Sequence, residues 1–294
     1  MSNSVLNPEL ISRIGNLKIK ANTVVDGVLT GLHKSPHHGS SIEFAEHKEY
    51  SPGDDVRHID WKAFARFDRY YVKKFEDETN LKCFILLDVS NSMAYGEESQ
   101  NKFEYGKVIA AAFAYLLLRQ QDSPGLTAFR DKMEFYIPPR GTSSHYQELL
   151  ESLVSQTPSG KTNIVRACEQ VAEILSGRNM VVIISDFFDP QEKLFSLLSR
   201  LRARKNEMVL FHVLHRDELE LPFDSLVQFD DMENSDSILA DPDQIRDEYK
   251  KVFGEFLKKM SQGALEHGIE YQLALTDEPH EKAFISYLTG KGKK

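Results

Sequence analysis

The sequence predicts an α/β protein built on a mostly parallel sheet with helices on both faces. Residues 81–87 and 180–184 are nearly unbroken runs of apolar side chains. Continuous apolar runs, rather than alternating ones, are typical of parallel strands that are buried on both faces. Segments with helical periodicity lie between these runs and further short apolar runs, and such alternation favours a sheet covered on both sides, as in Rossmann-like folds.

The composition is that of an ordinary folded protein. Of the 294 residues, 41% are hydrophobic and 28% are charged, which allows a sizeable core and argues against disorder. The 36 basic and 45 acidic residues give a formal net charge of −9. This balance argues against nucleic-acid binding by the surface as a whole.

Features of membrane or secreted proteins are missing from the sequence. The longest apolar stretch, residues 108–118, is shorter than the roughly 20 residues that a membrane-spanning helix needs. The first residues lack the basic end and apolar core of a secretory signal. The two cysteines, Cys83 and Cys168, lie in apolar segments and are expected to be buried and reduced. We therefore expect a cytoplasmic protein that has no membrane anchor.

The first 80 residues are predicted to form amino-terminal helices and an appended β-rich subdomain. Residues 6–32 carry apolar side chains at spacings of three and four, which favours one or two amphipathic helices. Residues 42–79 contain aromatic and β-branched stretches around a Pro-Gly-Asp-Asp turn, which favours short strands. We expect one unit at residues 1–80, the main domain at 81–290 and a flexible tail at 291–294.

The main domain continues the alternation of strands and helices. Further strands are predicted at residues 124–129, 133–137, 180–185, 208–214 and 269–275. Helices are predicted at residues 102–121, 146–155, 164–175, 191–204, 242–260 and 280–288. The first two of these strands are separated by three polar residues and should form a hairpin. The acidic residues 215–240 are predicted to be an insertion that contains a second hairpin.

One carboxylate and two hydroxyls follow the first buried strand. Asp88, Ser90 and Ser92 are expected just beyond its carboxyl end, where open α/β sheets bind ligands. Their oxygens can converge on one point in a tight turn, and hard oxygen ligands with few carboxylates favour Mg²⁺, with Mn²⁺ as a possible substitute. The alternative is that the serines only cap the next turn.

Two further oxygen ligands follow later in the chain. Thr162 lies in a short polar loop that opens a predicted helix, and Asp186 follows the second buried strand directly. We expect both side chains at loop tips rather than in the core. Three loops would then present five oxygen-bearing side chains to one point.

These five residues resemble the metal-ion-dependent adhesion site (MIDAS) of the von Willebrand factor type A (vWA) fold. The resemblance implies that Asp88, Ser90, Ser92, Thr162 and Asp186 hold Mg²⁺, directly or through water, and leave one position open. In that family an Asp or Glu carboxylate from a partner protein fills the open position. A vWA-like fold and a protein-interaction module, not an enzyme, are therefore expected.

A second set of motifs narrows the resemblance. Glu43-Phe44, the Tyr50 to Asp55 turn, the Arg57 to Arg66 segment and the Asp88 to Met93 loop together resemble the bacterial family catalogued as domain of unknown function 58. The resemblance covers about residues 6–288. It implies a non-catalytic partner or adaptor of a MoxR-type AAA+ ATPase, or of its client, in protein assembly or maturation.

Two other functions stay open at this point. Carboxylates at two strand ends also occur in Mg²⁺-dependent phosphatases that use an aspartyl nucleophile, although these usually carry Asp where this chain has Ser90. The basic residues between Arg57 and Lys74 could bind nucleic acid, but the interspersed acidic residues favour internal ion pairs instead. The sequence nominates no catalytic residue.

Overall fold

The computed structural model of the chain describes residues 8–33, 47–49, 71–73, 81–97, 100–234 and 236–291. The chain divides into two compact units, one of Met1–Leu29 with Leu81–Lys294 and the other of Thr30–Asn80. The amino-terminal helix thus groups with the sheet, whereas the sequence placed it with the β-rich block in a unit of residues 1–80. The reason is its long-range packing, since Ala21, Val25 and Val28 of this helix are almost completely buried.

The described part of the smaller unit is a pair of short strands. Strand β1 (His47–Glu49) pairs antiparallel with β2 (Tyr71–Lys73). The rest of the predicted β-rich block at 42–79, and with it most of the basic residues between Arg57 and Lys74, lies outside the described residues. Residues 292–294 of the predicted tail also lie outside them.

Helices and strands alternate along the rest of the chain, as predicted. The helices are α1 (Pro8–His33), α2 (Lys102–Arg119), α3 (Ser143–Ser155), α4 (Ile164–Ile174), α5 (Gln191–Ala203), α6 (Arg216–Glu220), α7 (Pro242–Glu266) and α8 (His280–Lys291). The strands are β3 (Lys82–Asp88), β4 (Ser123–Phe129), β5 (Met133–Ile137), β6 (Asn179–Ser185), β7 (Glu207–Leu214), β8 (Val227–Asp230), β9 (Ser237–Ala240) and β10 (Glu270–Leu275). Helix α8 includes Lys291, which the sequence assigned to the flexible tail.

The main sheet has six strands in the order β10-β7-β6-β3-β4-β5. All neighbours are parallel except β5, which pairs antiparallel with β4 as the predicted hairpin. From β3 the chain moves to one side through β4 and β5, and then returns to build β6, β7 and β10 on the other. The strand order reverses between β3 and β6, and in open α/β sheets this reversal marks the ligand-binding edge. The predicted fold class is confirmed.

Both faces of the central strands are covered. Phe84 and Leu86 of β3 belong to a buried cluster that includes side chains of α4, α5 and α7. On the opposite face Gly106 of α2 approaches the sheet so closely that an added Cβ would lie 3.1 Å from Leu87 and 3.3 Å from Ile184. Burial on both faces explains the unbroken apolar runs. The polar residues after β3 and β6 therefore lie where these buried strands end, at the carboxyl edge of the sheet.

The predicted insertion consists of α6 and a hairpin. Strands β8 and β9 pair antiparallel in a two-stranded sheet of their own. The turn between them is fixed by Asp231, whose Oδ1 accepts hydrogen bonds from the backbone nitrogens of Glu233 (2.8 Å) and Asn234 (3.0 Å). Residues 231–234 of this turn reach the carboxyl edge of the main sheet, where Glu233 contacts the loop that carries Thr162.

Candidate metal centre

Asp88, the last residue of β3, is completely buried. Its Oδ1 accepts a hydrogen bond from the backbone nitrogen of Ser90 at 2.9 Å. Its Oδ2 accepts hydrogen bonds from the hydroxyls of Ser185 at 2.7 Å and Thr162 at 3.2 Å. The carboxylate is therefore held from three segments of the chain that meet at the reversal of the strand order.

The two serines of the first loop lie side by side. The Oγ atoms of Ser90 and Ser92 are 3.0 Å apart. Ser90 stands at the N-cap position of a single 3-10 turn, Asn91–Ala94, but its side chain makes no capping hydrogen bond. The alternative in which Ser90 serves only as a cap is thus not supported, and its hydroxyl is directed to the neighbouring hydroxyl instead.

Backbone hydrogen bonds join the first loop to the loop that carries Thr162. The nitrogen of Asn91 donates to the carbonyl oxygen of Gly160, and the nitrogen of Ser159 donates to that of Val89, each at 2.9 Å. Gly160 has a φ of 76°, in the left-handed region that glycine adopts without a steric penalty. This pairing brings the Thr162 hydroxyl to Asp88 across a long separation in sequence.

Asp186 follows β6 and is also completely buried, which corrects the expectation that it lies at an exposed loop tip. Its Oδ2 accepts a hydrogen bond from Nζ of Lys102 at 2.8 Å. The same ammonium donates to Oε1 of Glu218 at 2.6 Å. Asp186 Oδ1 is buried and has no hydrogen-bond partner within the described parts of the chain. The carboxylate is thus partly satisfied and keeps one free acceptor.

Sequence reasoning missed three members of this cluster: Ser185, Lys102 and Glu218. Ser185 is the final residue of a predicted strand, so its position beside Asp88 could have been inferred from the strand register. Lys102 and Glu218 gave no such signal. Lys102 is 84 positions from Asp186 in the sequence, and Glu218 is 116 positions from Lys102. Only the packing of α2 and α6 against the sheet edge brings them together.

The burial of these charges shifts their protonation. Burial, and then repulsion by Asp186, raises the pKa of Asp88 to about 7, although hydrogen bonds from Ser185 and Ser90 oppose the shift. Burial disfavours the charged form of Lys102, but the carboxylates of Asp186 and Glu218 outweigh this and raise its pKa. Lys102 therefore stays charged, and when all three carboxylates are ionised they and the one ammonium carry a net charge of −2.

This shift predicts a pH dependence of stability in the absence of divalent cations. Native Asp88 keeps its proton up to about pH 7, whereas an unfolded aspartate releases it near pH 4. Between these values the native state binds more protons, so the free energy of unfolding should fall as the pH rises. Urea denaturation in chelator at steps from about pH 4.5 to 7.5 measures this slope. Asp88→Asn cannot ionise and should lack this part of the slope; equal slopes in both proteins would contradict the raised pKa.

The donor set fits a small hard cation. Neighbouring oxygens around an octahedral Mg²⁺ with bonds of 2.0–2.1 Å lie about 3 Å apart. The Ser90–Ser92 and Thr162–Asp88 oxygen pairs, at 3.0 and 3.2 Å, have this spacing. In the described part of the chain no group of three or more His, Cys, Asp or Glu side chains could hold a metal. The five predicted ligands are carboxylates and hydroxyls without sulfur or imidazole, and oxygen donors of this type suit Mg²⁺ or Mn²⁺ better than Zn²⁺.

Two solved structures illustrate what this chain is similar to. An aerotolerance-related membrane protein from Bacteroides fragilis is 17% identical, with 71% of this chain and 97% of that chain covered and a TM-score of 0.47. The VWA domain of SpRpn10 is 15% identical, with 45% and 75% covered and a TM-score of 0.35. Because both TM-scores are below 0.5, the assignment of the fold relies on the chain's own strand order.

The predicted cytoplasmic location is wrong by this comparison. Besides the Bacteroides fragilis protein, the similar structures include a membrane-spanning protein from Vibrio fischeri, 13% identical over 72% of this chain and 99% of that chain, with a TM-score of 0.25. Within the described ranges, no helix is both long enough and apolar enough to cross a membrane. The lack of an apolar span in the sequence was not sufficient ground for naming a compartment.

Comparison with protein families gives the clearest result. An uncharacterized protein from Mycobacterium bovis is 28% identical over 219 residues, which are 74% of this chain and 68% of the relative. Residues 46–255 match the family described as "Protein of unknown function DUF58". This match includes the loop of Asp88, Ser90 and Ser92 as well as Thr162 and Asp186. The chain therefore belongs to the DUF58 family, as its sequence motifs predicted.

Proposed function

We propose that this protein is a metal-ion-dependent protein-interaction module. Mg²⁺, or Mn²⁺ in its place, would bind at the edge between β3 and β6, and a carboxylate of a partner protein would complete its coordination. The observation that carries the proposal is the meeting of Asp88, Ser90, Ser92 and Thr162 at the reversal of the strand order, with oxygen spacings of 3.0 and 3.2 Å.

The charges of the cluster support a divalent cation. Asp88, Ser90, Ser92, Thr162 and Asp186 would hold the ion, and the ion would supply an electrophilic position for an oxygen ligand. Lys102 is paired with Asp186 and Glu218, so the cluster of three carboxylates and one ammonium reaches a charge of −2 when Asp88 is also ionised. A divalent cation neutralises this charge and removes the mutual repulsion of Asp88 and Asp186.

The residue two positions after Asp88 favours binding over catalysis. Phosphatases that use an aspartyl nucleophile usually carry Asp there, and this chain has Ser90. The family description and the name of the relative indicate no catalytic activity. The proposed partner is a MoxR-type AAA+ ATPase or its client, in protein assembly or maturation, and this part rests on the family resemblance.

Copurification of the ATPase with this protein tests the proposal. Binding should require divalent metal and should be lost when chelator is present throughout. The double variant with Ser90→Ala and Ser92→Ala should lose it too, because two of the proposed ligands are gone. Ser196→Ala, which alters an exposed serine on α5, serves as the matched control and should bind like the wild type. Equal capture in chelator and in Mg²⁺ would overturn the metal-dependent contact.

A further inference from the structure

A cavity of about 650 Å³ opens beside the proposed metal site. Ser92 and Lys102 belong to its lining, so it begins where the cluster of site residues ends. Its other walls come from α7 and from the insertion with the β8–β9 hairpin. The volume is in the range of pockets that hold small ligands or single side chains.

One wall of the cavity is aromatic. The ring of Phe188 is 46% exposed, and it stacks on Phe256 with ring centroids 5.7 Å apart. Tyr249, on α7, is fixed by a hydrogen bond from its hydroxyl to the carbonyl oxygen of Glu218 at 2.7 Å. Aromatic faces of this kind attract cations, and Nζ of Lys102 already lies 5.2 Å from the centroid of the Phe188 ring. A planar guanidinium also stacks on such rings.

The cavity is also lined by acidic side chains. Asp217, Asp230, Asp231 and Glu233 line the cavity. Among the described residues of the lining the one cationic side chain is Lys102, and its ammonium is already paired with Asp186 and Glu218. Acidic side chains therefore outnumber cationic ones in the described lining, next to aromatic rings, and this is complementary to a cationic group.

Glu233 connects this cavity with the proposed metal site. Its Oε2 accepts a hydrogen bond from the backbone nitrogen of Thr162 at 3.0 Å. Its Oε1 is buried and accepts no hydrogen bond from any described residue. A buried carboxylate oxygen without a donor is costly, so the cavity offers a ready acceptor for a donor that arrives with a ligand.

We propose that this acidic aromatic pocket binds an arginine side chain of the same partner segment that supplies the carboxylate to the metal. The inference rests on the proposed function and specifies its partner: an acidic residue with an arginine one to three positions away. Arginine fits better than lysine, because its planar group also stacks on aromatic rings and its several N–H donors bond Glu233 and the neighbouring carboxylates together.

Blocked pentapeptides test the pocket on the full chain. The probes are acetyl-Gly-Asp-Gly-Arg-Gly-amide and its relatives with arginine one or three positions from aspartate, each paired with the peptide that carries citrulline, the uncharged analogue of arginine. In Mg²⁺, at the best spacing, the arginine peptide should bind about tenfold more tightly than its citrulline counterpart, the effect of a charged hydrogen bond. Calorimetry or NMR titration measures both affinities.

Three variants locate the effect. Glu233→Gln and Asp230→Asn keep the size of their side chains and should each reduce the preference for arginine. Glu255→Gln alters an exposed carboxylate of α7 outside the lining and should leave the preference unchanged. Equal reduction in all three variants would indicate general electrostatic attraction and would overturn the pocket.

Separate measurements keep this inference distinct from the proposed function. Mg²⁺ binding alone is measured on the same samples. If Mg²⁺ binds but arginine and citrulline peptides have equal affinity, the pocket is wrong and the metal module stands. If Mg²⁺ does not bind, acetyl-Gly-Arg-Gly-amide in chelator tests the pocket by itself. A Glu233-dependent preference over its citrulline counterpart would then support the pocket without the metal, and the lack of one would overturn it.

Discussion

Asp88→Ala is expected to abolish Mg²⁺ binding. The wild type should bind one ion for each chain, since the donor oxygens form a single site. Asp88 is the hub of that site, because its carboxylate contacts Ser90, Ser185 and Thr162. Loss of a residue that only supports a metal ligand already weakens binding about 10–100-fold, so removal of a central carboxylate should exceed this. Titration calorimetry on metal-free protein measures the change.

Two comparisons make the Asp88 result specific. Thr162→Ala removes one hydroxyl and should weaken binding by a smaller factor while the chain stays folded, since this side chain is only partly buried. Asp131→Asn removes an exposed carboxylate from the β4–β5 turn and should leave the affinity unchanged. If Asp88→Ala gave the same Mg²⁺-binding isotherm as the wild type, the proposed metal site would be wrong.

Lys102→Met is expected to destabilise the metal-free protein by about 3–5 kcal/mol, the typical cost of removing one partner from a buried ion pair. Lys102 is 1% exposed, and its partners Asp186 and Glu218 are 0% and 16% exposed. Without the ammonium, Asp186 is left as a buried, uncompensated charge beside Asp88. Urea denaturation in chelator at pH 7 gives the loss in free energy of unfolding.

The same substitution on the same helix supplies the control. Lys107 is nearly as buried, at 3% exposure, but its partner Glu104 is 52% exposed, and burial lowers the pKa of Lys107. Lys107→Met should therefore change stability by less than about 1 kcal/mol, since a half-exposed carboxylate is solvated by water. Addition of Mg²⁺ should raise the free energy of unfolding of Lys102→Met more than that of the wild type, because the added cation offsets the lost ammonium. Equal stability of the two variants would contradict the structural role of Lys102.

The sequence predicted the parts of the fold and site that depend on local patterns. The unbroken apolar runs of β3 and β6 identified the two central strands, because a strand buried on both faces must be apolar throughout. Asp88, Ser90 and Ser92 were identified together, since a carboxylate and hydroxyls at alternate positions after a strand share one loop. Asp186 was a candidate because it directly follows the second buried strand, whereas the neighbouring positions of β3 and β6 came only from the structure. Its burial was not anticipated.

Tertiary packing decided the rest. The composition and spacing of the sequence do not indicate that Lys102 lies against Asp186 and Glu218, or that Glu233 from the insertion reaches the Thr162 loop. These contacts join residues 71 to 116 positions apart, and such pairs form only when α2 and the insertion pack on the sheet edge. Hydrophobic periodicity specifies which face of an element is buried, whereas the charges that meet at an edge depend on how several elements assemble. For this protein the sequence by itself therefore determined the sheet, its carboxyl edge and the local oxygen ligands, and the tertiary structure decided the charge balance and the neighbouring pocket.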